Sequence, residues 1–211
     1  HRPEQEAMAA AVAEAFAAPH HLAVEAGTGV GKTFAYLLPA IDLVLQGRRV
    51  VVSTHTIALQ EQLIHKDIPA LQTALGLDFK AELVKGRQNY LGLRRLKAAS
   101  QRQQALFADS KPLQVLHRIE DWAYTTDDGS LSDLGETPSP EVWEKVRSEH
   151  QNCLGRRCPT YDLCFYQRAR RRAAEAGLLV VNHALLISDL LLRRDGASVL
   201  PDYDYVVVDE A

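Results

Sequence analysis

Ala26-Gly27-Thr28-Gly29-Val30-Gly31-Lys32-Thr33 decides the fold. On its amino-terminal side, Leu22-Ala23-Val24-Glu25-Ala26 reads as a short buried strand; beyond it, an apolar pattern from Phe34 to Leu45 reads as a helix. Strand, glycine-rich turn, Lys-Thr and helix in that order make the context of a phosphate-binding loop. Gly27, Gly29 and Gly31 let backbone N–H groups turn inward as an anion nest, and the helix N-terminus adds partial positive charge. Lys32 has the reach for β- and γ-phosphates, and the Thr33 hydroxyl can ligate Mg²⁺. The strict motif opens on glycine, where this chain has Ala26.

Outward from the loop, helical and strand patterns alternate. Residues 3–18 read as a helix opened by Pro3 and stopped by Pro19. The helix to Leu45 is expected to kink or turn at Pro39 and to end at Gly47. Arg49 to Thr54 is a β-branched run suited to a buried parallel strand. Ile57 to Leu75 is helical in period with a break near Pro69, and Ala81 to Val84 is a further strand. This order implies a parallel sheet with helices on both faces. Residues 86–176 then read as a mostly helical insertion. A strand at Leu178–Val181, a helix at Ala184–Arg194 and a strand at Tyr205–Asp209 resume the pattern. The expected organisation is 1–85, a first part of the α/β domain; 86–176, the insertion; and 177–211, its continuation.

The chain has 211 residues, 46% hydrophobic and 24% charged, which suits a globular domain and excludes collagenous, coiled-coil and disordered classes. No apolar run approaches the roughly 20 residues of a membrane span, and no apolar stretch of a secretory signal follows His1-Arg2-Pro3-Glu4-Gln5. The net charge of −3 hides a strong asymmetry. Residues 80–118 carry nine Lys/Arg against two acids, +7; residues 119–151 two against nine, −7; residues 153–172 six against one, +5. Basic flanks around an acidic middle could form a phosphate-facing side, though charge alone favours a set of solvated helix faces. Arg87, Arg94, Arg95 and Lys97, with the arginines around the cysteines, are the candidate phosphate contacts. Tyr90, Tyr161, Phe165 and Tyr166 suit base stacking or the insertion's own core. The cysteines, Cys153, Cys158 and Cys164, fall within twelve residues, which points to metal or redox chemistry rather than a disulfide framework.

The last strand ends in Asp209-Glu210. In a parallel sheet, ligands bind at the carboxyl ends of strands. Asp209 is placed to face Thr33 across Mg²⁺, and Glu210 to accept a proton from an attacking water.

Glu25 to Thr33 together with Asp209-Glu210-Ala211 resembles a superfamily 2 DEAH helicase, the chain ending one residue before the His of that motif. Arg2-Pro3-Glu4-Gln5 is similar to the Arg-x-x-Gln that recognises adenine in that family. Val51 to Leu63 is similar to motif Ia, which tracks the DNA backbone. Lys85 to Tyr90 and Val181 to Leu186 resemble the segments that bracket the iron–sulfur insertion of the XPD/DinG type, and the Cys-x4-Cys-x5-Cys spacing resembles its bacterial DinG branch.

The resemblance implies a RecA-like domain of a cytoplasmic bacterial ATPase stimulated by DNA. That enzyme moves 5′ to 3′ on single-stranded DNA, unwinds forked or duplex DNA and acts as a monomer. ATP-Mg²⁺ would bind at Ala26 to Thr33, with Arg2 and Gln5 near the adenine, Lys32, Asp209 and Glu210 catalytic, and Thr54, His55 and Thr56 on DNA. The 211 residues alone are expected to bind nucleotide weakly and not to unwind. The rival readings are a DNA translocase without unwinding and a nucleic-acid binding module without motor activity. The family's first cluster cysteine falls at Gly92, so three readings stand: a [4Fe–4S] cluster on three cysteines, zinc with His150 or His117 as fourth ligand, or a metal-free site.

Overall fold

The structure, a computed structural model, describes residues 2–18, 20–27, 29–107 and 109–210. The elements are α1 (Pro3–Ala17), α2 (Lys32–Leu45), β1 (Val50–Thr54), α3 (Ile57–Gln62), a π-helical turn (Leu63–Asp67), α4 (Ile68–Leu75), β2 (Ala81–Leu83), α5 (Leu93–Gln101), α6 (Gln103–Leu106), α7 (Ser110–Ala123), α8 (Pro140–Val146), α9 (Phe165–Glu175), β3 (Leu178–Asn182), α10 (His183–Arg194) and β4 (Tyr205–Val208). They divide into two compact units, His1–Val84 with Arg172–Ala211, and Lys85–Arg171.

The first unit is α/β. Its four strands are parallel in the order β2-β3-β1-β4, with Val52 opposite Val180 on one side and Val207 on the other. Strands covered on both faces read as continuous apolar runs, and β1 is buried at every position. Alternate residues serve the two faces. Val50, Val52, Leu178 and Val180 pack with Tyr36, Leu37 and Ile41 of α2 and with Leu63, Ile68 and Leu71. Val51, Leu179 and Val181 pack with Ala173 and Ala176 of α9, Leu185 and Leu186 of α10, and Leu200. Each fully buried aliphatic side chain stabilises the unit by about 1.5–3 kcal/mol.

Local chemistry explains the ends and the irregularities. Gly47, at φ +82°, closes α2: its N–H reaches Val44 O, and Arg48 N–H reaches Leu43 O. The helix runs continuously through Pro39, so the expected kink or turn does not end it. The break expected near Pro69 is a widening. Pro69 has no N–H to give, and its ring crowds the carbonyl one turn earlier. The helix relaxes into the π turn, where Ile68 N–H bonds Leu63 O. The strand expected at Leu22–Ala26 is not formed: Leu22 and Val24 are 42% and 44% exposed in an irregular segment. A strand exists by pairing, and among the described residues nothing pairs with this segment. Pro19, expected to stop α1, lies outside the described residues.

Below the sheet, Asp189 of α10 is fully buried and saturated. It accepts N–H groups from Val199 and Leu200 at 2.7 and 2.8 Å and bonds Arg193 at 2.6 Å. Burial pushes its carboxyl up, but Arg193 and the two N–H groups outweigh burial and hold it below the usual carboxylate value. The second unit is mostly helical around its own core of Tyr90, Leu91, Leu116, Ile119, Val142, Trp143, Val146 and Phe165.

Candidate functional site

The glycine loop and the end of β4 meet at the carboxyl end of the sheet. Gly31 precedes α2 at φ +91°, and a Cβ there would come within 2.4 Å of the Gln5 side chain. Gln5 Nε2 donates to Gly31 O at 2.9 Å, and Arg2 donates to Gly29 O at 3.1 Å. The first residues of α1 therefore brace the loop from behind. Lys32 Nζ lies on Ala26 O at 3.1 Å, folded back along the loop. Thr28 lies outside the described residues.

Across from the loop, Asp209 N–H donates to Ser53 O at 2.8 Å, which carries the β1–β4 pairing to the acid. Its carboxylate accepts the Tyr36 hydroxyl at 2.9 Å, a bond between residues 173 apart in sequence. The Thr33 side chain lies close enough to the same hydroxyl to act on it. Burial, then the charge of Asp209 and the bond to it, push the Tyr36 phenol far above its usual value, so it remains a donor. Thr33 and Asp209 are thus gathered around one hydroxyl, and both are hard oxygen ligands. The pair fits Mg²⁺, whose remaining positions phosphate and water would fill. Glu210 stands beyond Asp209, exposed, at φ +59°. Tyr36 escaped the sequence reading because it is one more apolar position on the buried face of α2.

A hollow of about 540 Å³ lies at the amino-terminal ends of the strands. Among its lining charges, Lys80 pairs with Glu175 and Arg48 with Asp204.

The sequence profile of the DEAD/DEAH box helicases matches residues 2–123. This chain belongs to the DEAD/DEAH box helicase family. Over its whole length it is 39% identical to the ATP-dependent DNA helicase YoaA of Escherichia coli and covers 32% of that protein. It is 41% identical to the ATP-dependent helicase DinG of Mycobacterium tuberculosis, covering 34%, and 28% identical to the 3′-5′ exonuclease DinG of Bacillus subtilis, covering 22%. The chain spans about a third of the length of the first two relatives.

Within this helicase domain the motif Ia residues divide. His55 and Thr56 are exposed, but Thr54 is fully buried. The Thr56 hydroxyl caps α3 by accepting Leu59 N–H at 3.2 Å. In the second unit, the arginines proposed for DNA are engaged locally. Arg87 lies over the Tyr166 ring at 4.1 Å. Arg94 bonds Asn152 O, and Arg95 bonds Glu144 O, Lys145 O and Glu149. Arg156, Arg157, Arg170 and Arg171 are exposed. Tyr90, Phe165 and Tyr166 are core residues, 1%, 4% and 6% exposed, which answers the choice between stacking and packing for these three.

The cysteines do not fit a four-thiolate cluster. Cys153 is exposed, and its sulfur accepts Gly155 N–H at 3.4 Å. Cys158 pairs with Thr160, and Cys164 packs against the insertion core. Among the described residues no three of His, Cys, Asp and Glu come together as a metal site, so the zinc set is not assembled either. His117 instead faces Gln103 at 2.9 Å. Gly92 packs its backbone on α8: its N–H bonds Val146 O at 2.8 Å, and a Cβ would meet that oxygen at 3.2 Å. Among the described residues no helix is long and apolar enough to cross a membrane.

Proposed function

We propose that the chain is the nucleotide-binding motor part of an ATP-dependent DNA helicase that moves 5′ to 3′ on single-stranded DNA and opens forked or duplex DNA. The meeting of Thr33, Tyr36 and Asp209 beside the glycine loop carries the reading. The names of the relatives support ATP and DNA as substrates, and the resemblance to the XPD/DinG type supports the polarity. In the same reading the Lys85–Arg171 unit corresponds to that family's insertion, and the protein acts in the bacterial cytoplasm as a monomer.

The mechanism follows from the side chains. Phosphate oxygens enter the loop and draw Lys32 off Ala26 O, since a phosphate charge outcompetes a neutral carbonyl. Thr33 and Asp209 would hold Mg²⁺, which supplies neutralisation of charge developing on the phosphates. Tyr36 keeps Asp209 aimed through its hydroxyl. Glu210 takes the proton of the attacking water. His55 and the residues around it at the end of β1 meet the DNA backbone, with the exposed arginines Arg156, Arg157 and Arg170 as further phosphate contacts. No step is routed through an iron–sulfur cluster, because the donor set does not provide one.

Lys32→Ala in the full-length protein is expected to lower ATP hydrolysis stimulated by single-stranded DNA by about 10²-fold or more, as loss of a charge-stabilising contact does. Strand separation of a fork bearing a 5′ tail is expected to vanish with it. Stimulated hydrolysis without strand separation in the parent protein would leave the translocase reading standing. Unchanged hydrolysis in Lys32→Ala would sink the site assignment.

A further inference from the structure

His183 opens α10, yet capping that helix is not its task. The cap is Asn182, whose side-chain oxygen accepts Leu185 N–H at 2.8 Å. The His183 ring turns back to the sheet, where Nδ1 lies 2.7 Å from Ser53 Oγ, a bond between residues 130 apart in sequence. Ser53 is fully buried, and its carbonyl is the one that accepts Asp209 N–H. The His55 ring stands 6.0 Å from that of His183. A continuous run of contacts therefore leads from Tyr36 through Asp209 and Ser53 to His183, beside the first exposed residue of the DNA loop.

Two further observations set His183 apart from a packing residue. Its Nε2 is enclosed without a protein partner, and so is the Oγ1 of neighbouring Thr54. An enclosed polar atom left unpaired is destabilising. An apolar side chain at that position would carry no such unpaired atom. A polar ring retained there points to a task beyond stability.

We infer that His183 is a positioning residue. Through Ser53 it fixes the end of β1, the point from which His55 and Thr56 leave the sheet and on which Asp209 hangs. The inference rests on the DNA-coupled reading of the preceding section. With the bond removed, the strand end is less firmly held, and DNA engages the loop at a cost.

The test uses the full-length protein and titrates its ATPase rate with oligothymidylate. Ser53→Ala and His183→Ala are expected to raise the half-saturating DNA concentration about tenfold, the worth of one hydrogen bond. His183→Asn, whose side-chain amide occupies the Nδ1 position, is expected to restore it. Thermal midpoints of all variants are measured in parallel. A parent-like titration of His183→Ala overturns the inference, as does His183→Asn failing as badly as His183→Ala with the same fall in midpoint. A parent protein that DNA does not stimulate overturns the DNA reading and this inference with it. Stimulation of the parent with unaltered variants overturns this inference alone.

Discussion

The two compact units differ in how far apart in sequence their polar partners lie. In the sheet-bearing unit, side chains far apart in sequence are brought onto single atoms. Asp209 accepts the Tyr36 hydroxyl, and Val199, Leu200 and Arg193 converge on Asp189. In the unit of Lys85–Arg171, the residues expected to converge do not. The cysteines each find a local partner or the core, and Arg94 and Arg95 bind backbone oxygens. The difference follows from architecture. Parallel strands end together, so whatever leaves their carboxyl ends is gathered by the backbone itself. A small helical unit has no such common edge and is held by what it buries. Both units bury apolar cores; the first adds long-range polar convergence to its core.

The largest expected effect tests the first half of that contrast. Asp189→Ala removes the acceptor for two backbone N–H groups, Arg193 and Tyr203, and is expected to cost about 3–5 kcal/mol in denaturant unfolding, as breaking a buried ion pair does. Because the folded carboxyl is held below its ordinary value of 3.8, its contribution is fully present at neutral pH and is lost as acid protonates it. The parent is therefore expected to lose stability below about pH 4 more steeply than the variant. Parallel acid profiles for the two would refute the role given to Asp189.

Leu116→Ala probes the second half. Leu116 is fully buried in the insertion core, and its truncation is expected to cost about 2–4 kcal/mol. Unfolding midpoints with and without a strong chelator are the measurement. A chelator that destabilises the parent more than the truncation does would show that metal, not packing, holds this unit.

The same contrast decides what the sequence made legible. The glycine loop, β1, β3 and β4 were readable because β-branched runs and Gly-Lys-Thr spacing are local. The end of α2 was readable because Gly47 is a local signal as well. Leu22–Ala26 read as a strand from composition, but a strand needs a neighbour, which composition does not report. The π turn depends on how a helix answers Pro69, where kinking and widening are both open. Tyr36 and His183 were unreadable in principle. Their partners, Asp209 and Ser53, lie 173 and 130 residues away, and periodicity marks Tyr36 only as core. Arg87 illustrates the converse. Its charge suggested phosphate, while its place over the Tyr166 ring emerges only when the core forms.

The smallest effect bears most directly on whether packing has replaced metal. A [4Fe–4S] cluster is ordinarily held by four thiolates, and three remain here. Protein purified without air is expected to carry iron and sulfide far below four of each per chain. Gly92→Cys puts a thiol where the resemblance to the XPD/DinG type places the first cluster cysteine. Its Cβ would press on Val146 O at 3.2 Å and Arg147 O at 3.4 Å, so the substitution is expected to cost about 1 kcal/mol through a small shift of α8. With Cys153, Cys158 and Cys164 not gathered as a metal site among the described residues, the added thiol alone is expected not to recruit iron. Stoichiometric iron and sulfide in the parent would mean that three thiols suffice, and the second unit would then rest on polar convergence as the first does. Iron in Gly92→Cys but not in the parent would place the whole difference on one side chain, because the remaining cysteines would have kept their ability to converge.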